Sequence, residues 1–482
     1  MRRIGLWLGV AATLSSCGGG GGGNGSSIAV VPSATPTPTA ATPTPTASTG
    51  CTLAARQAFV DARMREWYLF PETLPASIDA GSYTSVQAYI DALTATARSQ
   101  RRDRNFTYIT SIAEENAFYA SGQTAGFGIR LTYPGGAALV VSEAFEGTPA
   151  LAAGIDRGTQ ITGIGTTTAN IRSISDIVAA EGTAGINNAL GPNTTGTARV
   201  LRFTPVGGTS REASVAKTDF EITPVSNRYG ARILDDGGRR VGYLNLRTFI
   251  STANQQLRDA FATFRSAGVT EVVIDLRYNG GGLVSTAELF SNLLGANRST
   301  SDVLSYTTFR PEKSANNETA FFQPQPQSIA PTKIAFIGTG GTASASELVI
   351  NSMLPYLRAN AGLVGTNTFG KPVGQIALDN TACDDRLRVV AFATQNANRQ
   401  GNYFNGLATV MEATCRAGDD LNFPLGDPRE ASVAAALTFL RGGSCTPITA
   451  SASREAVSLA APQELLSPQA PNTAQREVPG LF

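Results

Sequence analysis

The stretch IGTGGTASASELVINSMLPYLRANAGLVGTNTFGKPVGQ, residues 337–375, decides the fold. It closes an apolar run, Lys333 to Ile337, that is bounded by Gly338, Gly340 and Gly341, which predicts a buried strand entering a tight turn. A helix should begin near Ser344: Leu348, Val349, Met353 and Leu354 recur at helical spacing, and Pro355 should kink or end it. A second short strand, Leu363 to Gly365, follows. Strand, glycine turn, helix and strand make an α/β unit that puts Ser344 at a helix N-terminus. Unpaired backbone N–H groups and the helix dipole favour negative charge there, which suits an oxyanion.

Three readings compete for this stretch. Ser344-Ala-Ser-Glu347 fits the capping box S-x-x-E, in which the serine only caps its helix. Nucleotide binding is the second, because Gly338-x-Gly340-x-x-Ala343 mimics a dinucleotide fingerprint and Gly365-x4-Gly370-Lys371 mimics a P-loop. Both fail on inspection. Pro372 follows the lysine where a P-loop needs a hydroxyl for Mg²⁺, and Val373-Gly-Gln-Ile reads as extended rather than helical. The acid that should end the next strand of a dinucleotide fold is replaced by Thr366-Asn367. The third reading is a serine nucleophile with a lysine base.

Composition favours the third. The 482 residues include no histidine, which excludes a Ser-His-Asp triad and a histidine-ligated zinc site. A base working near neutral pH must then be a carboxylate, a tyrosine or an amine, since arginine does not give up its proton. The lysines are Lys217, Lys313, Lys333 and Lys371. Lys371 alone stands in a glycine-bounded turn after a strand that should neighbour the Ser344 strand, whereas Lys333 opens a strand as a solvated flank. To serve as a base, Lys371 must be neutral, so burial has to lower its pKa at a cost of about 1.36 kcal/mol per unit.

These residues carry a resemblance. The S-A-S-E and F-G-K-x-x-x-Q segments look like the active-site motifs of the C-terminal processing peptidases, or tail-specific proteases, which use a Ser–Lys dyad. By that resemblance Ser344 is the nucleophile, Lys371 the general base and Gln375 the residue that orients it. Asp275-Leu-Arg-Tyr-Asn-Gly-Gly-Gly282 resembles the family's D-L-R-x-N-G-G-G, a glycine loop delivered by the strand Val272–Ile274. The resemblance implies an oxyanion hole from Gly280, Gly281 and the N–H of Ala345. It implies a ClpP/crotonase-like catalytic domain within an α/β (α+β multidomain) protein. Two departures stand out: the Ser344–Lys371 spacing is about two residues longer than the family's by our reading of the motif, with the extra length near Asn360-Ala361, and Pro372 replaces the usual glycine.

Around this core the chain reads as a series of segments. Residues 1–17 form an export signal: Arg2 and Arg3, an apolar Ile4–Leu14 too short to span a membrane, then the lipobox-like Leu14-Ser-Ser-Cys17, with Cys17 as the lipidated residue. Gly18 after it favours the outer membrane by family habit. Residues 18–50, rich in Gly and Thr-Pro, cannot bury a core and read as a tether. Residues 51–120 should form a small helical domain with Leu53, Phe59, Val60, Met64 and Trp67, and Val86, Tyr89, Ile90 and Leu93, facing its core.

Residues 121–225 resemble a PDZ domain. Gly126-Phe127-Gly128-Ile129 matches its carboxylate-binding loop and Gly147 to Gly165 its central signature, which implies binding of apolar protein C-termini by strand addition. Residues 226–445 would be the catalytic domain, with a strand at Val241–Leu246, a helix through Leu257, Phe261 and Phe264, core packing for Phe249, and a closing helix within 427–440. Residues 446–482 are rich in Ala, Ser, Pro and Gln and read as disordered. They finish on the apolar Val478-Pro-Gly-Leu-Phe482, which could occupy the chain's own PDZ-like groove or a neighbour's.

With Cys17 lipidated, Cys51, Cys383, Cys415 and Cys445 remain, an even number that suggests two disulfides after export. Of three connectivities, Cys383–Cys415 as a local clamp and Cys51–Cys445 joining the ends of the body is favoured. The charge balance, 38 basic against 37 acidic residues, leaves no electrostatic footprint for nucleic acid, and Arg101-Arg-Asp-Arg104 reads as a solvated helix end. No metal or other cofactor is called for. The sequence thus points to an envelope-located, lipid-anchored serine endopeptidase with protein substrates and room for oligomerisation. A peptidase-shaped lipoprotein that only binds peptides is the alternative.

Overall fold

The computed structural model describes residues 50–449, 465–468 and 470–482. The stretch read as a signal peptide with Cys17, and the one read as a tether up to residue 49, lie outside them. The architecture is mixed α/β and multidomain, as the sequence reading has it.

Its centre is a six-stranded sheet in the order Ala231–Asp236, Arg239–Asn245, Glu271–Asp275, Lys333–Gly338, Ala361–Gly365 and Ala413–Arg416. The first two strands form an antiparallel hairpin, and every later pairing is parallel. Parallel strands need helical crossovers that cover both faces, so their residues are apolar without polar alternation. Val272, Ile274, Ile334, Phe336 and Leu363 face one core, built on the helices Ala253–Ser266, Val284–Leu293 and Ala345–Leu357. Their neighbours Val273, Ala335, Ile337 and Val364 face the opposite core, under the helix Ala431–Leu440. Phe249 is fully buried against Phe290, in the core. Pro355 stays inside its helix, which ends two residues later at Leu357. The turn Arg358–Asn360 then leads into the next strand.

A second, antiparallel sheet is organised on the long strand Asp385–Gln395, which pairs with Val373–Asn380, Val303–Phe309 and Tyr108–Ser111. Through it the N-terminal segment joins the rest. The helices Leu53–Trp67 and Val86–Leu93 bury Val60, Met64, Val86, Tyr89, Ile90 and Leu93, but Val373, Leu387, Val389 and Val390 complete that core. The segment therefore does not close a hydrophobic core of its own. Leu53, placed on the core stripe by its spacing, is exposed at 36%.

The middle segment has a six-stranded sheet with the path Ile129–Thr132, Leu139–Ala144, Gln160–Gly165, Ala198–Thr204 and Arg211–Ala216, closed over by the helix Ile174–Leu190.

Two expectations are corrected. The disulfides are Cys51–Cys383 and Cys415–Cys445, with Cα separations of 5.5 and 4.9 Å, not Cys383–Cys415 and Cys51–Cys445. The reason is register: the turn Thr381–Cys383 of the second sheet lies over the start of the first helix, where Arg56 pairs with Asp385 at 2.6 Å. Chain leaving the helix Ala431–Leu440 runs beside the edge strand Ala413–Arg416, with Arg416 N–H donating to Thr446 O at 2.7 Å. The described part of 446–482 is also not disordered, since Thr473, Val478 and Leu481 are fully buried. Five apolar or small side chains at the end of a polar tail are enough to dock it once a groove is supplied.

Candidate active site

Asp275 lies beside Ile337 and Gly338 beside Gly365, so the carboxyl ends of three parallel strands open at one edge of the sheet. Ligand sites of open α/β sheets form at this edge, where loops from several strands converge. Here the loops are 276–283, 339–344 and 366–372. They carry Gly280, Gly281, Ser344 and Lys371, with Ala345 opening the following helix and Gln375 in the following strand; Gly281 lies against Ser344 and Ala345, and Lys371 bonds Gln375.

The first two loops are tied to each other. Thr342 Oγ1 donates to Leu276 O at 2.7 Å, and the Asn279 carbonyl accepts from Ala343 N–H and Ser346 Oγ, each at 3.0 Å. Asn279 is fully buried; its amide also donates to Leu246 O at 2.8 Å and accepts from Gly281 N–H at 3.0 Å. Phe249 braces the glycines from below, with its N–H on Gly281 O at 2.9 Å.

Ser344 has φ 55° and ψ −115°. An ordinary capping residue is extended, and a non-glycine residue outside both the extended and αL wells costs about 1–3 kcal/mol. Its N–H donates to Glu347 at 3.1 Å and its side chain faces the Glu347 N–H, so both halves of the capping box are present. The dihedrals, however, are those of a serine held on a sharp strand-to-helix turn, the geometry that exposes a nucleophile. A Cβ on Gly281 would stand 2.7 Å from the Ser344 Cβ and 3.2 Å from Ala345 N, so the glycine loop lies directly against the serine and the first helical N–H.

Glu347 joins the serine to the lysine. Its carboxylate is fully buried and accepts from Ser344 N–H, from Thr368 Oγ1 at 2.6 Å, and from Gly370 N–H and Lys371 N–H, each at 2.7 Å. Burial pushes its pKa above the usual carboxylate range, and those four donors pull against that rise. One side chain thereby fixes the backbone of Ser344 relative to that of Lys371.

Lys371 Nζ donates to Gln375 Oε1 at 2.9 Å and sits 5.1 Å from the Phe106 ring centroid. Gln375 in turn donates to Phe106 O at 2.5 Å. Among the described residues no hydrogen bond joins Nζ to Ser344 Oγ. The residue as a whole is partly accessible, but burial around the amine lowers its pKa, the direction a lysine base needs, while the negative charge of Glu477 works the other way.

The Gly281 N–H is engaged by Asn279, and the Gly280 N–H donates to the Glu477 carbonyl at 3.0 Å. In the middle segment, Gly126, Gly128 and Ile129 line a groove holding Phe482, and the N–H groups of Gly128 and Ile129 donate to the Phe482 oxygen at 3.0 and 3.2 Å. Phe127 instead turns into the core, with Lys217 Nζ 4.8 Å from its ring centroid.

The sequence reading missed several supports. Glu347 reads as a local cap, and nothing local announces its contacts 21 to 24 residues away. Arg104, read as solvated, stacks 3.9 Å from the Phe369 ring centroid and donates to Phe369 O and to Gly370 O, bracing the lysine loop. Arg130 is fully buried and donates to Tyr278 O at 3.1 Å, joining the groove strand to the glycine loop.

Residues 240–405 match the model of Peptidase family S41, and residues 55–108 match the Peptidase S41 N-terminal domain. The chain is 26% identical over 267 residues to a chloroplastic C-terminal processing peptidase of Tetradesmus obliquus, covering 54% of each. It is 28% identical over 253 residues to a carboxyl-terminal-processing protease of a Picosynechococcus species, covering 52% of this chain and 55% of the relative. The chain thus spans about half the length of the curated relatives it matches. It shares the fold of a solved Bacteroides fragilis structure assigned to the S41 proteases, with TM-score 0.60 and 23% identity over 80% of this chain and 97% of that one.

Proposed function

We propose, for a chain that carries peptidase family S41 domains, the function of a serine endopeptidase of the C-terminal processing type. Ser344 Oγ attacks a peptide carbonyl while Lys371 takes its proton, and an acyl-enzyme forms. The N–H groups of Gly280 and Ala345 hold the oxyanion, and the Lys371 ammonium returns the proton to the leaving amine. Water then releases the acyl group by the reverse order of proton transfers. Gln375 orients the amine and Glu347 sets the distance between the two loops.

The observation that carries this reading is the buried Glu347 carboxylate, which accepts from the backbone N–H of both Ser344 and Lys371. A serine that merely caps its helix has no need of a long-range tie, and a lysine that merely solvates a loop has no need to share a buried carboxylate with it.

The middle segment is read as a PDZ domain that takes apolar substrate C-termini by strand addition to Ile129–Thr132. The Leu14–Cys17 pattern and the two disulfides support an exported, lipid-anchored protein in the cell envelope.

The test is incubation of the purified chain with an unfolded reporter ending in an apolar tail and with the same reporter ending in an acidic tail, with products weighed by mass spectrometry. Cleavage confined to the apolar-tailed reporter supports the whole reading. Binding of the tail without any cleavage would favour a peptide-binding lipoprotein instead.

A further inference from the structure

The segment Thr473–Phe482 is threaded through both halves of the site just described. At one end it is a strand: Phe482 N–H donates to Ile129 O at 2.9 Å, Gly128 and Ile129 donate to the Phe482 oxygen, and Leu131 N–H donates to Gly480 O at 2.8 Å. The Phe482 side chain, 3% exposed, completes the apolar core of the middle segment. At the other end the segment is one helical turn, Thr473–Glu477, that delivers the Glu477 carbonyl to Gly280 N–H. A Cβ on Gly280 would meet Arg476 O at 2.6 Å, so the turn packs directly on the glycine loop. Between the two ends, Arg130 Nη1 donates to Pro479 O at 2.5 Å and to Tyr278 O.

The bond after Glu477 is not presented as a substrate would be. Val478 N–H donates to Ala474 O at 2.8 Å, which keeps this stretch helical, and Tyr119 Oη donates to Glu477 Oε1 at 3.0 Å. A peptidase cleft takes its substrate extended, so a helical turn fills the site without entering the reaction.

We propose that Thr473–Phe482 is a resident inhibitor of this chain's own site: Gly480–Phe482 fills the peptide groove, the turn Thr473–Glu477 covers the oxyanion loop, and an incoming apolar C-terminus activates the protein by displacing it. The proposal rests on the peptidase reading for its consequence, though not for the occupancy itself. Glu477 in its charged form opposes the lowering of the Lys371 pKa, although burial of both groups disfavours their charges. A tethered ligand acts at an effective concentration of about millimolar, so an added peptide should bind the intact chain at least about tenfold more weakly than a chain with the groove emptied.

The test uses the full chain in a Ser344→Ala background, a fluorescent peptide of the sequence of residues 473–482 as probe, and two variants, Phe482→Asp and removal of residues 473–482. Both variants should bind the probe at least tenfold more tightly than the parent, and on a Ser344 background they should cleave the apolar-tailed reporter several-fold faster. Hydrogen exchange on the unaltered chain serves where a variant fails to fold: the Leu131 and Phe482 amides should be protected without any added peptide. Equal probe affinity in all three chains, or free exchange at Leu131, overturns the proposal. Tighter binding with no cleavage by any chain upholds the resident segment and overturns the peptidase reading. Occlusion that disappears on dilution means that a second copy supplies the segment, which overturns inhibition within one chain.

Discussion

Replacing Glu347 tests how the site is assembled. The carboxylate accepts four hydrogen bonds between 2.6 and 3.1 Å, three from backbone N–H groups and one from Thr368 Oγ1. Each bond to a charged group contributes about 1.5–3 kcal/mol, which sums nominally to about 6–12 kcal/mol. The sum overstates the loss because the bonds share one acceptor and because removing the side chain also removes the cost of burying its charge. We expect Glu347→Ala to destabilise the protein by about 4 kcal/mol, at the upper end for single substitutions. Glu347→Gln keeps one acceptor but turns an NH2 group toward backbone donors, and should cost about 2–3 kcal/mol. Thr368→Val removes one bond, for about 1.5 kcal/mol. The assay is urea unfolding with midpoints compared at constant slope, alongside kcat and KM on the reporter. Glu347→Gln should lower kcat at least about a hundredfold with little change in KM, since the dyad rather than the peptide groove is displaced. A cost below about 1 kcal/mol for Glu347→Ala, or full activity in Glu347→Gln, would refute the claim that this carboxylate sets the site.

Other consequences can be measured separately. Lys371 has a pKa depressed by burial, so its contribution to stability is full above the unfolded value of about 10.4 and falls as pH drops toward the folded value. Lys371→Met should therefore be inactive yet gain stability relative to wild type at neutral pH, by about 1.36 kcal/mol per unit of depression, and lose that gain as pH rises toward 10.4; a gain that does not vary with pH would count against a buried amine. Gly281→Ala would place a Cβ 2.7 Å from that of Ser344 at a φ of +122°, and kcat should fall about 10²–10³-fold while the melting temperature shows a folded protein. Opening the Cys51–Cys383 disulfide, which spans 332 residues, should destabilise by about 2–5 kcal/mol and more than opening Cys415–Cys445, which spans 30, as read by thermal unfolding of the Cys→Ser pairs.

Local pattern carried far in this sequence where the physics is local. The apolar run from Lys333, the glycines after it and the helical spacing from Ser344 are each decided by neighbours along the chain, and the strand Lys333–Gly338 and helix Ala345–Leu357 follow them closely. That the strand before Ser344 pairs with the strand before Lys371 was legible only as a topological inference, that consecutive parallel strands lie side by side. What was not legible depends on contacts between distant segments. Glu347 looks like a cap because its other partners are 21 to 24 residues on. Arg104 looks solvated because a charge run says nothing about the Phe369 carbonyl that receives it. The disulfide pairing follows from which strand end faces which helix, a property of the assembled sheets. Tail composition gives the wrong picture of its last ten residues, because low hydrophobicity over a long window hides a short apolar end that needs only one groove.

The central claim is that Ser344 and Lys371 hydrolyse peptide bonds together, and its most direct test is reporter cleavage by wild type, Ser344→Ala and Lys371→Ala across pH 6 to 10. The account predicts that neither variant cleaves and that the wild-type rate rises along a single basic limb as the lysine loses its proton. Cleavage that survives either substitution, or a wild-type rate that falls over that range while the protein remains folded, would contradict it.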